Sequence, residues 1–219
     1  MIRTVLFDLD GTLIDTEPAA AIAIAESFRG WGIEVQPEDA RYITGRTWAT
    51  AFKYLFGKYE VPVPAQQASR IMMEKYRLSL ETNLALVPGG ADSVRALAGK
   101  FKLGLVSGSF RQEILWALDK LSIRGHFEVI LGAEDYPHSK PAPDGYLKAL
   151  DLLGGEGAST LVFEDSEAGI GSGLAAGAYV VAIAATNHFG QDTSGAHESI
   201  PDLRGIDAEW VRAFGNRRT

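Results

Sequence analysis

After Pro88-Gly89-Gly90 the chain alternates between two kinds of segment, and this alternation restricts it to one class of fold. Short apolar runs, KLGLVSG (102–108, a strand and its turn), FEVILG (127–132), TLVFED (160–165) and YVVAIA (179–184), are interleaved with stretches of helical periodicity at 91–99, 110–120, 143–153 and 167–176. Strands separated by helices pair in parallel, because the crossover helix returns the chain to the same end of the sheet. The runs are continuously apolar, as expected of a sheet covered on both faces. TVLF, residues 4–7, is a further run of the same kind at the start of the chain, and Asp10-Gly11-Thr12 marks a turn after it.

From Thr16 the character changes. Thr16 reads as an N-cap and Pro18 as a first-turn residue of a helix through AAAIAIAESF. Residues 38–57 and 65–82 are also expected to be helical, broken at Gly45-Arg46 and at VPVP (61–64), and no strand is expected between 16 and 82. The stretch 185–219 is polar and reads as loop plus one short helix around 207–214. The expected architecture is α/β: a Rossmann-like, doubly wound parallel-sheet core from 1–15 and 86–219, with an all-helical cap domain of residues 16–85 inserted after the first strand. Open parallel sheets bind ligands at the carboxyl ends of their strands, so a domain inserted there would form a lid over the site.

Composition narrows the partners. A net charge of −7 in 219 residues makes a nucleic-acid backbone an unsuitable ligand. There is no cysteine, which excludes disulfides and thiolate chemistry and suits a reducing cytoplasm. No apolar run approaches the ~18 residues of a membrane span. MIRTVLFDLD meets acidic residues too early for a signal peptide, so a cytoplasmic location is expected.

Four features fall at the carboxyl ends of expected strands. Asp8 and Asp10 flank one residue at the end of the first; one would serve as nucleophile and the other as proton carrier, although an Asx-turn would use the same residues. Ser107-Gly108-Ser109 offers hydroxyls and amides to phosphate oxygens, or a plain helix cap. Lys140, in the proline-stiffened SKPAP loop, would neutralise phosphate as a point cation if it is not simply solvated. Glu164-Asp165 ends a buried strand, where adjacent acids are costly unless paired or metal-bound. With Asp8 they would supply hard oxygen ligands suited to Mg²⁺, or they would cap the helix starting near Glu167, a role Ser166 could equally take.

The strings FDLDGTL, VSGS, SKPAPDGY and FEDSEAGI, in this order, resemble the four motifs of the haloacid dehalogenase superfamily, and the helical insert is similar to its small cap. The similarity is greatest to the β-phosphoglucomutase and phosphoglycolate-phosphatase-like subgroup. The resemblance implies a Mg²⁺-dependent phosphatase acting on a small phosphorylated metabolite through an aspartyl-phosphate. Asp8 would be the nucleophile and Asp10 the acid and base. Asp8, the Asp10 carbonyl, Asp165 and Glu164 would hold the metal, and Ser107, Gly108 and Lys140, with Ser109, the phosphoryl group. Gly45, Arg46 and Trp48 occupy the position of the cap's specificity loop; Arg46 would bind a second anion and Trp48 would cover a sugar face, which makes a sugar phosphate the first expectation and phosphoglycolate the second. Lys75, Tyr76 and Arg77 are weaker candidates of that kind. A monomer or weak dimer is expected, without nucleic acid or membrane. A phosphomutase is the alternative enzyme, but Pro18-Ala19-Ala20 has no histidine where β-phosphoglucomutase has one. A dehalogenase would not need Asp10 or the Glu164-Asp165 pair. A non-catalytic phosphate-binding protein on the same fold is the alternative of another class.

Overall fold

The computed structural model describes residues 1–43, 46–188 and 190–218. The chain enters through strand β1 (Thr4–Phe7) and a two-residue strand β2 (Ile14–Asp15). Four helices follow: α1 (Glu17–Gly30), α2 (Pro37–Ile43), α3 (Trp48–Lys58) and α4 (Ala65–Thr82). Strand β3 (Ala85–Leu86) then pairs antiparallel with β2, where the chain leaves and re-enters the sheet. The remainder runs α5 (Gly90–Leu97), β4 (Lys102–Val106), α6 (Arg111–Lys120), β5 (Val129–Leu131), α7 (Asp144–Leu153), β6 (Thr160–Glu164), α8 (Glu167–Ala175), β7 (Tyr179–Ile183), β8 (Glu198–Ile200) and α9 (Ala208–Arg218).

Six parallel strands form the sheet in the order β5-β4-β1-β6-β7-β8. Alternate residues of each strand serve opposite faces. Val5, Phe7, Leu105 and Phe163 pack on one side against α5, α6 and α9; Leu6, Val106 and Val162 pack on the other against α7 and α8. Both faces are therefore buried, which is why the strands read as unbroken apolar runs. β1 lies at the centre, with β4 on one side and β6 on the other, so the winding reverses there and opens a crevice at the carboxyl ends of these three strands.

The helices α1, α3 and α4 enclose a separate apolar cluster built from Ala19, Ala23, Ile24 and Phe28 on one stripe of α1, with Trp48, Leu55, Met72 and Tyr76. A buried carboxylate sits at its edge. Asp39 of α2 accepts hydrogen bonds from Tyr54 (2.7 Å), Lys58 (2.5 Å) and Tyr59. Burial pushes its carboxyl up, but these donors outweigh burial and hold it at about 2, below the ordinary 3.8. Its contribution to stability is complete above the ordinary value and disappears as the pH falls through about 2. Replacing Asp39 by asparagine should therefore cost about 1–2 kcal/mol at neutral pH, and the difference from the parent should shrink in urea titrations at progressively lower pH.

Two features differ from the sequence expectation. The stretch after residue 185 is not loop plus one short helix, because β8 joins the sheet there and the last helix extends to Arg218. β8 is three residues long, lies at the sheet edge and buries only Ile200, so it carries neither a run nor an alternation to detect. Thr16 stands at the N-cap of α1, but its hydroxyl does not cap the helix; it is directed elsewhere, as described next.

Candidate active site

Each strand around the crevice delivers one part of the site. Asp8 follows β1, Ser107 follows β4, Glu164 closes β6 with Asp165 next to it, and Lys140 arrives on the loop between β5 and α7. All five side chains are buried. The Lys140 ammonium, 5% exposed, lies 2.5 Å from Asp8 Oδ1 and 2.5 Å from Glu164 Oε1, and also donates to the Val106 carbonyl at 3.2 Å. The phenol ring of Tyr146 covers it, with Nζ 5.1 Å from the ring centroid.

The three acids have different surroundings. Glu164 accepts five hydrogen bonds: from Lys140 and Tyr146 on Oε1, and from the Asp165 amide and both the amide and hydroxyl of Ser166 on Oε2. Burial opposes its ionisation, but Lys140 and these donors keep it charged. Asp8 has one oxygen on Lys140, while Oδ2 is buried with no hydrogen-bond partner. Burial raises its carboxyl well above the ordinary range; Lys140 works against this, and the charges of Glu164 and Asp10 add to it. Asp165 is raised for the same reasons, burial first and then the charges of Glu164 and Asp8. Lys140 keeps its proton, because the two carboxylates outweigh the cost of burying it.

The site buries three carboxyl groups with one ammonium, so ionising all three calls for a further cation. One oxygen from each of Asp8, Glu164 and Asp165 lies within 4.8 Å of the others. An orphaned buried carboxylate oxygen beside two more acids is the donor set of a hard divalent cation, so these residues fit Mg²⁺. Two glycines make the cluster possible. A Cβ on Gly11, which has φ +87°, would lie 2.0 Å from Asp165 Oδ2, and one on Gly169, in the first turn of α8, would lie 1.8 Å from Glu164 Oε1. Ser166 caps α8 by accepting from the Gly169 amide, as its position suggested, which leaves Asp165 to the site.

Asp10 is held beside the cluster by three hydroxyls. Ser107 and Ser109 donate to Oδ2 at 2.9 and 2.8 Å, and Thr16 donates to Oδ1 at 2.9 Å. The serine hydroxyls expected to face a phosphoryl group thus orient Asp10, and Thr16 joins them. No strand or motif in the sequence links Thr16 to Asp10; only the turn at Gly11 brings the two together.

Above Asp8 and Asp10 lies a cavity of about 240 Å³ walled mainly by α1, α2 and α3. Gly108, Ser109, Arg46, Trp48 and Tyr76 line it. Trp48, 9% exposed, lines the cavity while packing on Phe52 and Tyr76 at centroid distances of 5.4 and 4.9 Å, so the helical core holds its ring in place. Arg46 stacks over Tyr42 at 4.6 Å and its Nε donates to the Tyr42 carbonyl. Gly45, named with them, lies outside the described residues. Lys75 and Arg77 face away, toward Glu26 (3.8 Å) and Glu113 (3.2 Å). Helices and sheet meet through that Arg77–Glu113 pair, through Thr50 and Ser139 hydroxyls 3.2 Å apart, and where the backbone of Arg46 and Thr47 passes close over Gly108.

Comparison with known proteins agrees with this arrangement. The haloacid dehalogenase-like hydrolase family matches residues 5–183. The chain belongs to that family. Among its family relatives, a phosphoglycolate phosphatase of Aquifex aeolicus is 32% identical over 178 residues, covering 80% of this chain and 81% of that one. Hexitol phosphatase A of Escherichia coli strain K12 is 33% identical over 185 residues, 81% of each chain. The crystal structure of a β-phosphoglucomutase from Clostridium difficile superimposes with a TM-score of 0.84 over 100% of this chain and 99% of its own, at 20% identity, which establishes the shared fold. The expectation of a phosphoric monoester hydrolase of this family is in keeping with relatives that are named phosphatases. Among the described residues no helix is long and apolar enough to cross a membrane.

Proposed function

We propose that this protein is a Mg²⁺-dependent phosphatase that removes the phosphoryl group from a small organic monoester by way of an aspartyl-phosphate on Asp8. The observation that carries the reading is Asp8 itself, a buried carboxylate with one oxygen on Lys140 and the other unpartnered, facing Asp165. Asp8 and Asp165 would hold the cation, with the Asp10 carbonyl and with Glu164 behind them. Bound there, Mg²⁺ would neutralise charge on the phosphoryl oxygens and on Asp8.

The residues divide the work. Asp8 attacks phosphorus while the bond from phosphorus to the leaving oxygen breaks, and Asp10 supplies the proton that oxygen needs. Asp10 then takes a proton from water, whose oxygen attacks phosphorus, releasing inorganic phosphate and restoring Asp8. Lys140 stabilises the phosphoryl charge throughout, and Glu164 and Tyr146 keep it in place. The helices of residues 16–85 would act as a mobile cap that excludes water while the ester is bound. A cytoplasmic location belongs to this reading, since the sequence has no cysteine and the substrate would be a small metabolite.

The test is release of inorganic phosphate from a panel of small monoesters with Mg²⁺, with and without chelator. Release that chelation abolishes and Mg²⁺ restores supports the proposal; chelator-insensitive release, or none from any ester, defeats it. Asp10→Asn should lower kcat/KM by about 10²–10⁴-fold for esters of aliphatic alcohols. Aryl esters, whose leaving oxygen needs no proton, should suffer much less in kcat/KM, which leaves out the later attack of water. Thr16→Val, which removes one of the three donors to Asp10, should show the same pattern at about tenfold. Steady-state kinetics on one aliphatic and one aryl ester separate these outcomes.

A further inference from the structure

The loop that follows β7 belongs to none of the four motifs, yet it is fastened to the segments that carry the acids. It starts from a firm base, the amides of Ala184 and Ala185 donating to the Ile200 and Pro201 carbonyls at 2.9 Å. Thr186 comes next, 4% exposed, and its hydroxyl donates to the Gly11 carbonyl at 2.6 Å. Asn187 and Gln191 close the loop on itself. Asn187 Nδ2 donates to the Gln191 carbonyl at 2.9 Å, and the Gln191 amide returns to Asn187 Oδ1 at 2.7 Å. Gln191 Oε1 accepts from the Glu167 amide at 3.2 Å, at the start of α8 and two residues beyond Asp165. His188 pairs with Asp15 of β2 at 2.8 Å.

Of these ties, the one to Gly11 bears on the chemistry. Gly11 follows Asp10 directly and has φ +87°, and glycine has the widest backbone freedom of any residue. Its amide donates to the Ile14 carbonyl at 2.6 Å, within the turn. Its carbonyl is held by Thr186, from a loop two strands away in the sheet. The peptide planes on both sides of the Gly11 Cα are therefore fixed, one locally and one from a distance. The hydroxyls of Thr16, Ser107 and Ser109 can aim the Asp10 carboxyl only while the backbone beneath it keeps its place. We infer that Thr186 is a positioning residue for Asp10: by fixing the Gly11 peptide it holds the Asp10 carboxyl where the leaving oxygen is protonated. The inference rests on the reading of Asp10 as proton donor in a phosphatase, and it gives the loop after β7 a part in that step.

Thr186→Val keeps the shape of the side chain and removes the donor, which leaves the Gly11 carbonyl buried and unpaired. With Mg²⁺ in excess, kcat/KM for an aliphatic ester should fall by about tenfold. An aryl ester, which needs no proton on leaving, should stay within about threefold of the parent. Thr186→Ser keeps the hydroxyl and should restore the aliphatic ester. Asn187→Ala, which opens the loop but leaves Thr186 its hydroxyl, should show the same split at smaller size. Hydrogen exchange followed by mass spectrometry reads the turn without any turnover. The amides of residues 11–14 should exchange at least about tenfold faster in Thr186→Val than in the parent, and serine should slow them again. An equal loss on both esters, no loss on either, or unchanged exchange in 11–14 would overturn the inference. A parent that hydrolyses neither ester defeats the phosphatase reading instead, and faster exchange reversed by serine would then still uphold the tie between Thr186 and the turn that carries Asp10.

Discussion

Asparagine at Asp8 should reduce phosphate release by at least about 10⁴-fold while leaving the fold intact, and the protein without metal should melt no lower than the parent. The first half follows from the role of Asp8 as the attacking group. The second follows from the charge balance of the cluster. Three carboxyl groups and one ammonium are buried together, so ionising all three would hold an excess of negative charge out of water. Asparagine keeps the shape of the side chain and removes part of that excess, and Lys140 still pairs with Glu164 at 2.5 Å. The parent should gain thermal stability on addition of Mg²⁺, by about 2.7 kcal/mol at a hundredfold excess over the dissociation constant. The variant, lacking the Asp8 carboxylate, should gain clearly less. Scanning calorimetry with and without Mg²⁺, beside a phosphate assay, reads both halves. An active Asp8→Asn protein would remove the basis of the proposed chemistry.

The parts of this molecule that were legible in its sequence are those where two signals coincide. Asp8, Ser107, Lys140 and Glu164-Asp165 each follow an apolar run, and a parallel sheet is bound to bring the ends of such runs together. The positions of β1, β4, β5, β6 and β7 followed from the same runs. What escaped depends on contacts across the chain. Thr16 reads locally as a helix cap, yet the turn at Gly11 carries Asp10 back to it and the hydroxyl goes there. Tyr146 stands six residues beyond Lys140 inside a recognisable string, but its contact with Glu164 exists only once α7 packs on the sheet. Asp39 looks like a surface acid in a polar stretch, and only the return of α3 surrounds it with Tyr54, Lys58 and Tyr59. Trp48, an aromatic next to a helix break, suggested a ligand platform; it lines the cavity, and its packing among the helices is a further contact the sequence did not show. The two-residue strands β2 and β3 are too short to carry any pattern at all.

Removal of the Lys140 side chain should be the most damaging single change to stability in the site. Lys140 is the cation shared by Asp8 and Glu164, and with its side chain 5% exposed, water cannot take its place. Lys140→Ala leaves two carboxylates facing each other with Asp165 beside them, and breaking a buried pair in this way costs about 3–5 kcal/mol. The loss should be partly recovered at low pH, where protonation removes the repulsion, and by Mg²⁺, which supplies positive charge to the same acids. Activity should fall by about 10²–10³-fold even where the protein is folded, because the phosphoryl oxygens lose a fixed cation. Lys140→Arg tests whether charge alone suffices. The slot is filled by the Tyr146 ring and the Val106 carbonyl, and a planar fork needs more room than a point ammonium. The arginine protein should therefore recover little of either property. Urea unfolding with and without Mg²⁺, combined with kcat on a single ester, distinguishes a cation needed for the fold from one needed for the reaction: a variant of parental stability and parental kcat would show that Asp8 does not depend on its lysine.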